Sequence, residues 1–255
     1  MAEFIDLSIV IPAFNEERRL PAFLDDCLAW CRRSSRNVEI LVVNDGSSDR
    51  TADVALGRST VRVINLERNS GKGAAVRTGM LNARGRLRLF ADADGATPIA
   101  EISRLEEAVA AGADVAIGSR IGTGITVRTS KVRRLVGRGF NTAVRLGGVR
   151  GIKDTQCGFK LFTTAAAQRL FGASRENGYA FDVELLFLAR KLGLGVAEVP
   201  VNWAEMPGSK VRVARDGLSM VGQIMRMRWR WWVGGYRAEQ PDVMAVTQPL
   251  PENSR

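Results

Sequence analysis

The first half of the chain alternates short apolar runs with segments of helical periodicity. We predict strands at residues 7–11, 38–43, 61–65, 87–91 and 115–118. Helices are predicted at residues 20–31, 51–56, 73–83 and 99–110. Strands that alternate with helices indicate an α/β fold, in which a mostly parallel sheet is covered by helices on both faces.

The second half has a less regular pattern. We predict a basic helix at 131–146, a loop entering a strand at 154–162, a helix at 181–192 and a strand at 196–203. A mobile loop is expected at 204–216, followed by a basic, Trp-rich helix at 218–232. From about residue 239 the chain carries Pro241, Pro249 and Pro251, and we expect a disordered tail.

Polar clusters follow three of the predicted strands. They are Asn15-Glu16, Asp45-Gly46-Ser47 and Asp92-Ala93-Asp94. In parallel sheets, ligands bind beyond the carboxyl ends of the strands, so we expect these clusters to share a site. Two carboxylates at positions i and i+2 can bind Mg²⁺ or Mn²⁺ on a diphosphate, although such a pair also occurs in solvated turns and helix caps.

Two further segments fit a phosphate-containing ligand. Asp45 could accept hydrogen bonds from a base or ribose, and residues 45–49 could at the same time form a tight turn that caps the helix at Thr51. Residues 69–73 open the next helix, where backbone N–H groups and Lys72 could meet phosphate. This segment is not a Walker A loop, because Gly73 rather than Ser or Thr follows the lysine.

Charge and composition narrow the chemistry. The 255 residues fit one large α/β domain, with a net charge of +10 and no histidine, so we expect the chemistry to use carboxylates, a metal or a substrate that is already ionised. Residues 120–160 hold ten Lys or Arg and one acid, Asp154, which indicates an anionic partner or a solvated basic face. The three cysteines, Cys27, Cys31 and Cys157, are expected to be reduced thiols.

Taken in order, these motifs resemble glycosyltransferase family 2, whose members have a GT-A (Rossmann-like) fold. The matching segments are residues 8–16, 42–49, 69–77 and 92–94. Residues 117–120, 154–162 and 181–186 look like the branch that transfers sugars to polyprenyl phosphates. Within that branch, residues 92–97 and 154–162 look most like the dolichyl-phosphate β-glucosyltransferases.

The resemblance implies roles for individual residues. Donor-binding residues would be Pro12, Asn15, Glu16, Asp45, Lys72 and Asp92. Asp92 and Asp94 would hold Mg²⁺ or Mn²⁺, and Asp154 would lie beside the reacting centre. The acceptor phosphate would meet Arg120, Lys131, Arg133 or Arg134, Lys160, Ser209 and Lys210. Two positions depart from the pattern: Ala96 stands where mannosyl-transferring relatives often have Gln, and Asn44 where many relatives have Asp.

The resemblance implies a catalytic domain at residues 1–216. Its donor-binding half would span about 1–119 and its acceptor-binding half about 120–216. An amphipathic interfacial helix would follow at 217–237, and the tail at 238–255.

The resemblance favours transfer of glucose from UDP-glucose to a polyprenyl phosphate. GDP-mannose is the alternative donor, and a soluble acceptor is the alternative to the lipid. A nucleic-acid-binding protein is the non-enzymatic alternative. A phosphate monoester has a second pKa of about 6, so a polyprenyl phosphate acceptor is already ionised near pH 7. We therefore expect the acceptor phosphate to displace the nucleotide in line at C1 of the sugar, with inversion. Asp154 is expected to orient the acceptor or to act as a base.

The composition of the helix predicted at residues 218–232 is relevant to whether the protein binds a membrane. Leu218, Val221, Met225, Trp229 and Trp232 form an apolar stripe at helical spacing among several arginines. This composition is typical of a helix in a bilayer interface, although a helix packed on the core gives the same spacing. The chain has no run of about 18 apolar residues and no secretory pattern at its start, so we expect a cytoplasmic protein attached peripherally to the cytoplasmic face of a membrane.

Overall fold

The computed structural model describes residues 4–128, 151–206 and 213–236. Its strands are β1 (Leu7–Ala13), β2 (Val38–Asn44), β3 (Val61–Asn65), β4 (Leu87–Ala91), β5 (Val115–Ser119), β6 (Val127–Arg128), β7 (Phe159–Thr163), β8 (Val196–Pro200) and β9 (Trp203–Ala204). Its helices are α1 (Leu20–Arg33), α2 (Thr51–Leu56), α3 (Lys72–Asn82), α4 (Ile102–Ala110), α5 (Thr164–Ala173), α6 (Phe181–Lys191) and α7 (Val213–Trp232). A single 3₁₀ turn, Ile99–Glu101, precedes α4.

Seven strands form the main sheet in the order β3-β2-β1-β4-β7-β5-β8. All neighbours are parallel except β7, which pairs antiparallel with both β4 and β5. Strands β1, β2 and β4 therefore end at the same edge. This architecture confirms the predicted α/β class with a mostly parallel sheet.

Side chains of successive residues in the central strands enter two different apolar layers. In β1, Ile9 and Ile11 pack in one layer, and Val10 packs in the other. The first layer includes residues of α1 and α4, and the second includes residues of α3, α5 and α6. Because both faces are covered, the central strands carry apolar residues on both faces, as expected for a central parallel sheet, with Ser8, Arg88 and Lys160 as buried polar exceptions.

The first-half prediction is confirmed element by element, with ends within two residues except at α4, which was predicted from residue 99 and begins at Ile102 after the 3₁₀ turn. In the second half the sequence pattern missed α5, and the strand expected at 196–203 is two short strands in different sheets. The loop expected at 204–216 ends by Val213, where α7 begins. The helix expected at 131–146 and the tail at 238–255 lie outside the described residues.

Candidate active site

A cleft of about 380 Å³ opens at the edge where β1, β2 and β4 end. Of the seven side chains that the sequence assigns to the donor and the metal, six line this cleft. These six are Pro12, Glu16, Asp45, Lys72, Asp92 and Asp94. The strand ends and the start of α3 bring them together from positions up to 82 residues apart, Pro12 and Asp94, as the rule for parallel sheets predicts.

The seventh residue, Asn15, builds the rim of the cleft. Its backbone is in the left-handed region, with φ 54°, a conformation that Asn tolerates better than most residues. The Asn15 amide N–H donates to Ser47 Oγ at 2.9 Å, and Ser48 N–H donates to Asn15 Oδ1 at 2.8 Å. Asn15 therefore joins the loop after β1 to the loop after β2.

Asp45 also organises backbone. Its side chain is buried, and its two oxygens accept the N–H groups of Ser70 at 2.7 Å and Gly71 at 3.0 Å. Burial raises the pKa of Asp45, and these two hydrogen bonds partly offset that rise. At the end of the same turn, Asp49 Oδ1 accepts the N–H of Thr51, the first residue of α2, at 3.0 Å.

The start of α3 differs from the sequence prediction. Ser70 and Gly71 donate their N–H groups to Asp45, while Gly73 and Ala74 donate theirs to the Asn177 carbonyl at 2.6 and 3.3 Å. Within the predicted segment, the N–H groups of Ser70, Gly71 and Gly73 therefore already have partners inside the protein and are not open to phosphate in this arrangement. Asn69, Gly71 and Lys72 of this segment line the cleft, and Lys72 brings a positive charge to it.

Lys72 lies against Asp92, with 2.7 Å between Nζ and Oδ1. The ammonium also lies 5.4 Å from the Phe90 ring centre and 5.9 Å from that of Tyr179. Burial favours the neutral amine, but the charges of Asp92 and Asp182 outweigh it and raise the pKa of Lys72. Lys72 is therefore a cation at neutral pH.

Asp92 and Asp94 form a pair of carboxylates at the end of β4. Burial and the neighbouring charge of Asp92 raise the pKa of Asp94, while Arg19 and Lys72 lower it. A divalent cation between the two carboxylates would relieve this repulsion, so the donor set fits Mg²⁺ or Mn²⁺. Within residues 4–128, 151–206 and 213–236 no group of three acidic or thiol side chains forms a metal site.

Arg19 is a charged residue of the cleft that the sequence reasoning missed. Its Nε lies 2.7 Å from Glu16 Oε2, and its Nη1 lies 3.7 Å from Asp94 Oδ2. The i, i+3 spacing from Glu16, immediately before the predicted helix, was the available signal. The cation thus links two acidic motifs of the site.

Gly158 allows the chain before β7 to lie directly on Asp92. The Asp92 N–H donates to the Gly158 carbonyl at 2.9 Å. A Cβ atom on Gly158 would lie 1.9 Å from Asp92 Oδ2, which is far inside contact distance. The motif at residues 154–162 therefore fixes one side of the carboxylate pair.

Arg120 and Asp154 form a bidentate ion pair. Arg120 Nε lies 2.7 Å from Asp154 Oδ2, and Nη2 lies 2.8 Å from Oδ1. Asp154 is 1% exposed, while the Arg120 side chain is 30% exposed and its guanidinium lies 5.3 Å from the Trp203 ring centre. Burial alone would raise the pKa of Asp154, but the hydrogen bonds and charge of Arg120 outweigh it and hold the pKa below its usual value. Asp154 is thus an ionised carboxylate that orients Arg120.

Lys160 lies elsewhere than predicted for a phosphate ligand. Its ammonium is buried and donates to Asp182 and to the Cys157 carbonyl. The cause is the position of β7 inside the sheet, where both faces are covered. The other predicted acceptor residues, Lys131, Arg133, Arg134, Ser209 and Lys210, lie outside the described residues.

Helix α7 has two different faces. Met225, Trp229 and Trp232 are exposed, at 65%, 61% and 83%. On the other side Met227 is buried, and Trp231 packs edge-on against Phe187 with ring centres 6.0 Å apart. Of the helices in the described ranges, none combines the length and apolar character that a membrane span requires. The side chains of Leu218 and Val221, also predicted for the stripe, are not described.

Comparison with known proteins agrees with the motifs. The family described as Glycosyl transferase family 2 matches residues 8–171. The dolichyl-phosphate beta-glucosyltransferase of Drosophila melanogaster is 46% identical to this chain, and the match covers 91% of this chain and 77% of the relative. The Homo sapiens protein of the same name is 39% identical, with 92% and 78% covered.

A solved structure shares the fold. It is glucosyl-3-phosphoglycerate synthase from Mycobacterium tuberculosis, crystallised with Mn²⁺, UDP-glucose and phosphoglyceric acid. Its TM-score is 0.66 and its identity 21%, with 97% of this chain and 88% of that chain covered. The likeness supports the GT-A arrangement predicted for the sheet and its helices.

Proposed function

Because the chain belongs to glycosyltransferase family 2, we propose that it transfers glucose from UDP-glucose to a dolichyl-type polyprenyl phosphate, with inversion at C1. The observation that carries this choice of substrates is the 46% identity, over 91% of the chain, to a relative named for that reaction. The cleft supports it, because a carboxylate pair and a lysine face the same space at the end of the sheet.

On the donor side, Lys72, Asp92 and Asp94 would surround the diphosphate. A divalent cation, Mg²⁺ or Mn²⁺, held by Asp92 and Asp94 would neutralise negative charge on the departing UDP. Lys72 is held as a cation by Asp92 and Asp182, so it can stabilise the same leaving group. Pro12, Glu16 and Asp45 form the part of the cleft that would receive the nucleoside.

At the acceptor, positive charge is needed to bind the phosphate dianion, whereas a general base is not required. The dianionic phosphate oxygen forms a bond to C1 while the bond from C1 to the UDP oxygen breaks, and no proton has to be removed. Arg120 would meet this anion, and two observations support that role: Asp154 fixes its guanidinium, and the Arg120 side chain stays partly exposed. We therefore assign Asp154 a positioning role through Arg120. Inversion of the α-linked donor gives a β-linked product, in keeping with the relatives' names.

We further propose that the protein lies at the cytoplasmic face of a membrane through α7. Met225, Trp229 and Trp232 are exposed together with Arg226 and Arg228, a combination suited to an anionic lipid surface. Flotation with anionic liposomes tests this, and the double variant Trp229→Ala/Trp232→Ala should lose most of the binding at unchanged thermal stability. Equal flotation of the variant and the wild type would contradict the proposal.

A substrate matrix tests the proposed reaction. Purified protein is incubated with labelled UDP-glucose or GDP-mannose, and with a polyprenyl phosphate or 3-phosphoglycerate, in Mg²⁺ or Mn²⁺ and again with EDTA. We expect label in the organic phase only with UDP-glucose, lipid phosphate and metal. Transfer only to the soluble acceptor, or only from GDP-mannose, would replace the proposal with the corresponding alternative.

A further inference from the structure

One wall of the cleft is the loop at residues 174–180, between α5 and α6. Gly178 and Tyr179 line the cleft, and the Tyr179 ring centre lies 5.9 Å from Lys72 Nζ. The Asn177 carbonyl accepts the N–H groups of Gly73 and Ala74 in the first turn of α3. The position of this loop therefore sets the position of the turn that carries Lys72.

The contact between the loop and α3 is close along its length. A Cβ atom on Gly71 would lie 2.4 Å from the Asn177 carbonyl oxygen, and one on Gly73 would lie 2.4 Å from that of Glu176. In addition, Arg77 Nη2 donates to Asn177 Oδ1 at 2.7 Å. With so little free space, a displacement of the loop must move the start of α3 as well.

The loop is held from behind by a buried carboxylate. Glu184 in α6 is 0% exposed, and its Oε2 accepts the N–H groups of Arg175 and Glu176, each at 2.9 Å. Its other oxygen accepts the hydroxyl of Tyr236 at 2.7 Å. Glu184 thus joins the loop to the residues that follow α7.

A second contact joins α7 to the same loop. Arg230 Nη1 lies 3.0 Å from Glu176 Oε1, and the Glu176 side chain is 8% exposed. Trp231 packs against both Phe187 and Tyr236, which fixes the end of the helix on α6. Two polar contacts therefore connect the C-terminal helix with the cleft wall.

We propose that Glu176 and Glu184 are positioning residues for the donor site, and that the packing of α7 through Arg230 and Tyr236 sets the affinity for the diphosphate of the nucleotide sugar. The chain of contacts runs from Tyr236 and Arg230 through the two glutamates to Asn177 and the first turn of α3. This inference rests on the proposed function, because it takes a nucleoside diphosphate sugar as the ligand of the cleft.

The test is calorimetric titration of the full chain with UDP-glucose and Mn²⁺, without lipid. Tyr236→Phe and Arg230→Met each remove one polar contact, and each should raise the Kd about fivefold, the effect of one ordinary hydrogen bond. Arg32→Met, at an exposed arginine of α1 that takes no part in these contacts, is the control and should bind like the wild type. Arg230→Lys keeps the charge and should recover part of the affinity.

The outcomes separate this inference from the proposed function. Unchanged Kd in Tyr236→Phe and Arg230→Met, beside a wild type that binds, would overturn the inference alone. A lower binding stoichiometry and lower Tm at unchanged Kd would also overturn it, since that result means a purely structural role. A wild type that binds no UDP-glucose would overturn the proposed function and this inference with it.

Discussion

Replacing Gly158 by Ala should damage the site while sparing the fold. The added Cβ would lie 1.9 Å from Asp92 Oδ2, 2.2 Å from Cγ and 2.7 Å from Oδ1. Ordinary contacts between such atoms are about 3.5 Å, so the carboxylate must retreat by roughly 1.5 Å. That movement breaks the ion pair of Asp92 with Lys72 and separates Asp92 from Asp94.

The displacement of Asp92 allows separate estimates of the loss of activity and the loss of folding stability. A misplacement of about 1 Å in a reacting arrangement costs about 100-fold in rate, which is about 2.7 kcal/mol of transition-state stabilisation. The Asp92 side chain is 32% exposed, so it can rotate towards water, and losing its ion pair should cost less than about 1 kcal/mol of folding stability. We therefore expect kcat/KM to fall about 100-fold with little change in Tm.

Steady-state transfer from labelled UDP-glucose to a polyprenyl phosphate measures the effect, with thermal unfolding recorded on the same preparations. Gly172→Ala in α5 is the matched control, because a Cβ atom there meets nothing within 4 Å. The control should keep full activity and gain slightly in stability. Near-normal kcat/KM in a folded Gly158→Ala protein would refute the close packing of Gly158 on Asp92 as a requirement of the site.

Two other substitutions, Asp154→Asn and Asp94→Asn, give three separate tests. Asp154→Asn should lower turnover about 100-fold or more with UDP-glucose affinity within about twofold of wild type, because Arg120 loses its ionised partner; near-normal turnover would show that the pair is dispensable. The folded pKa of Asp154 lies below its unfolded value of about 3.9, so the ion pair stabilises the protein at neutral pH and is lost as the pH falls through the folded pKa. Urea unfolding should therefore show a smaller loss of stability between pH 7 and pH 3 in Asp154→Asn than in wild type, and identical losses would contradict the assignment. Asp94→Asn should raise the Mn²⁺ concentration for half-maximal activity at least tenfold at unchanged Tm, whereas an unaltered Mn²⁺ titration would exclude Asp94 as a ligand.

The parts of the site that follow strand ends were accessible from the sequence. Apolar runs locate β1, β2 and β4, and the geometry of parallel strands then brings Asp45, Asp92 and Asp94 to one edge. Local pattern suffices here because each motif is adjacent to the strand that positions it.

Contacts between distant segments were not accessible in the same way. The Asn177 carbonyl occupies the N–H groups that α3 was expected to offer to phosphate, and a backbone carbonyl leaves no mark in the sequence. Lys160 looks like a solvent-facing residue of a strand, but β7 lies inside the sheet and Asp182 compensates its charge there. Pairing of Arg120 with Asp154, 34 residues apart, likewise depends on the packing of β5 beside β7.

A crystal structure of the protein soaked with UDP-glucose and Mn²⁺ tests the central claim most directly. We predict the metal in direct contact with an Asp94 carboxylate oxygen, with the diphosphate beside Lys72 in the cleft and the glucose C1 facing Arg120. Nucleotide density outside the cleft, or a metal bound away from both Asp92 and Asp94, would contradict it.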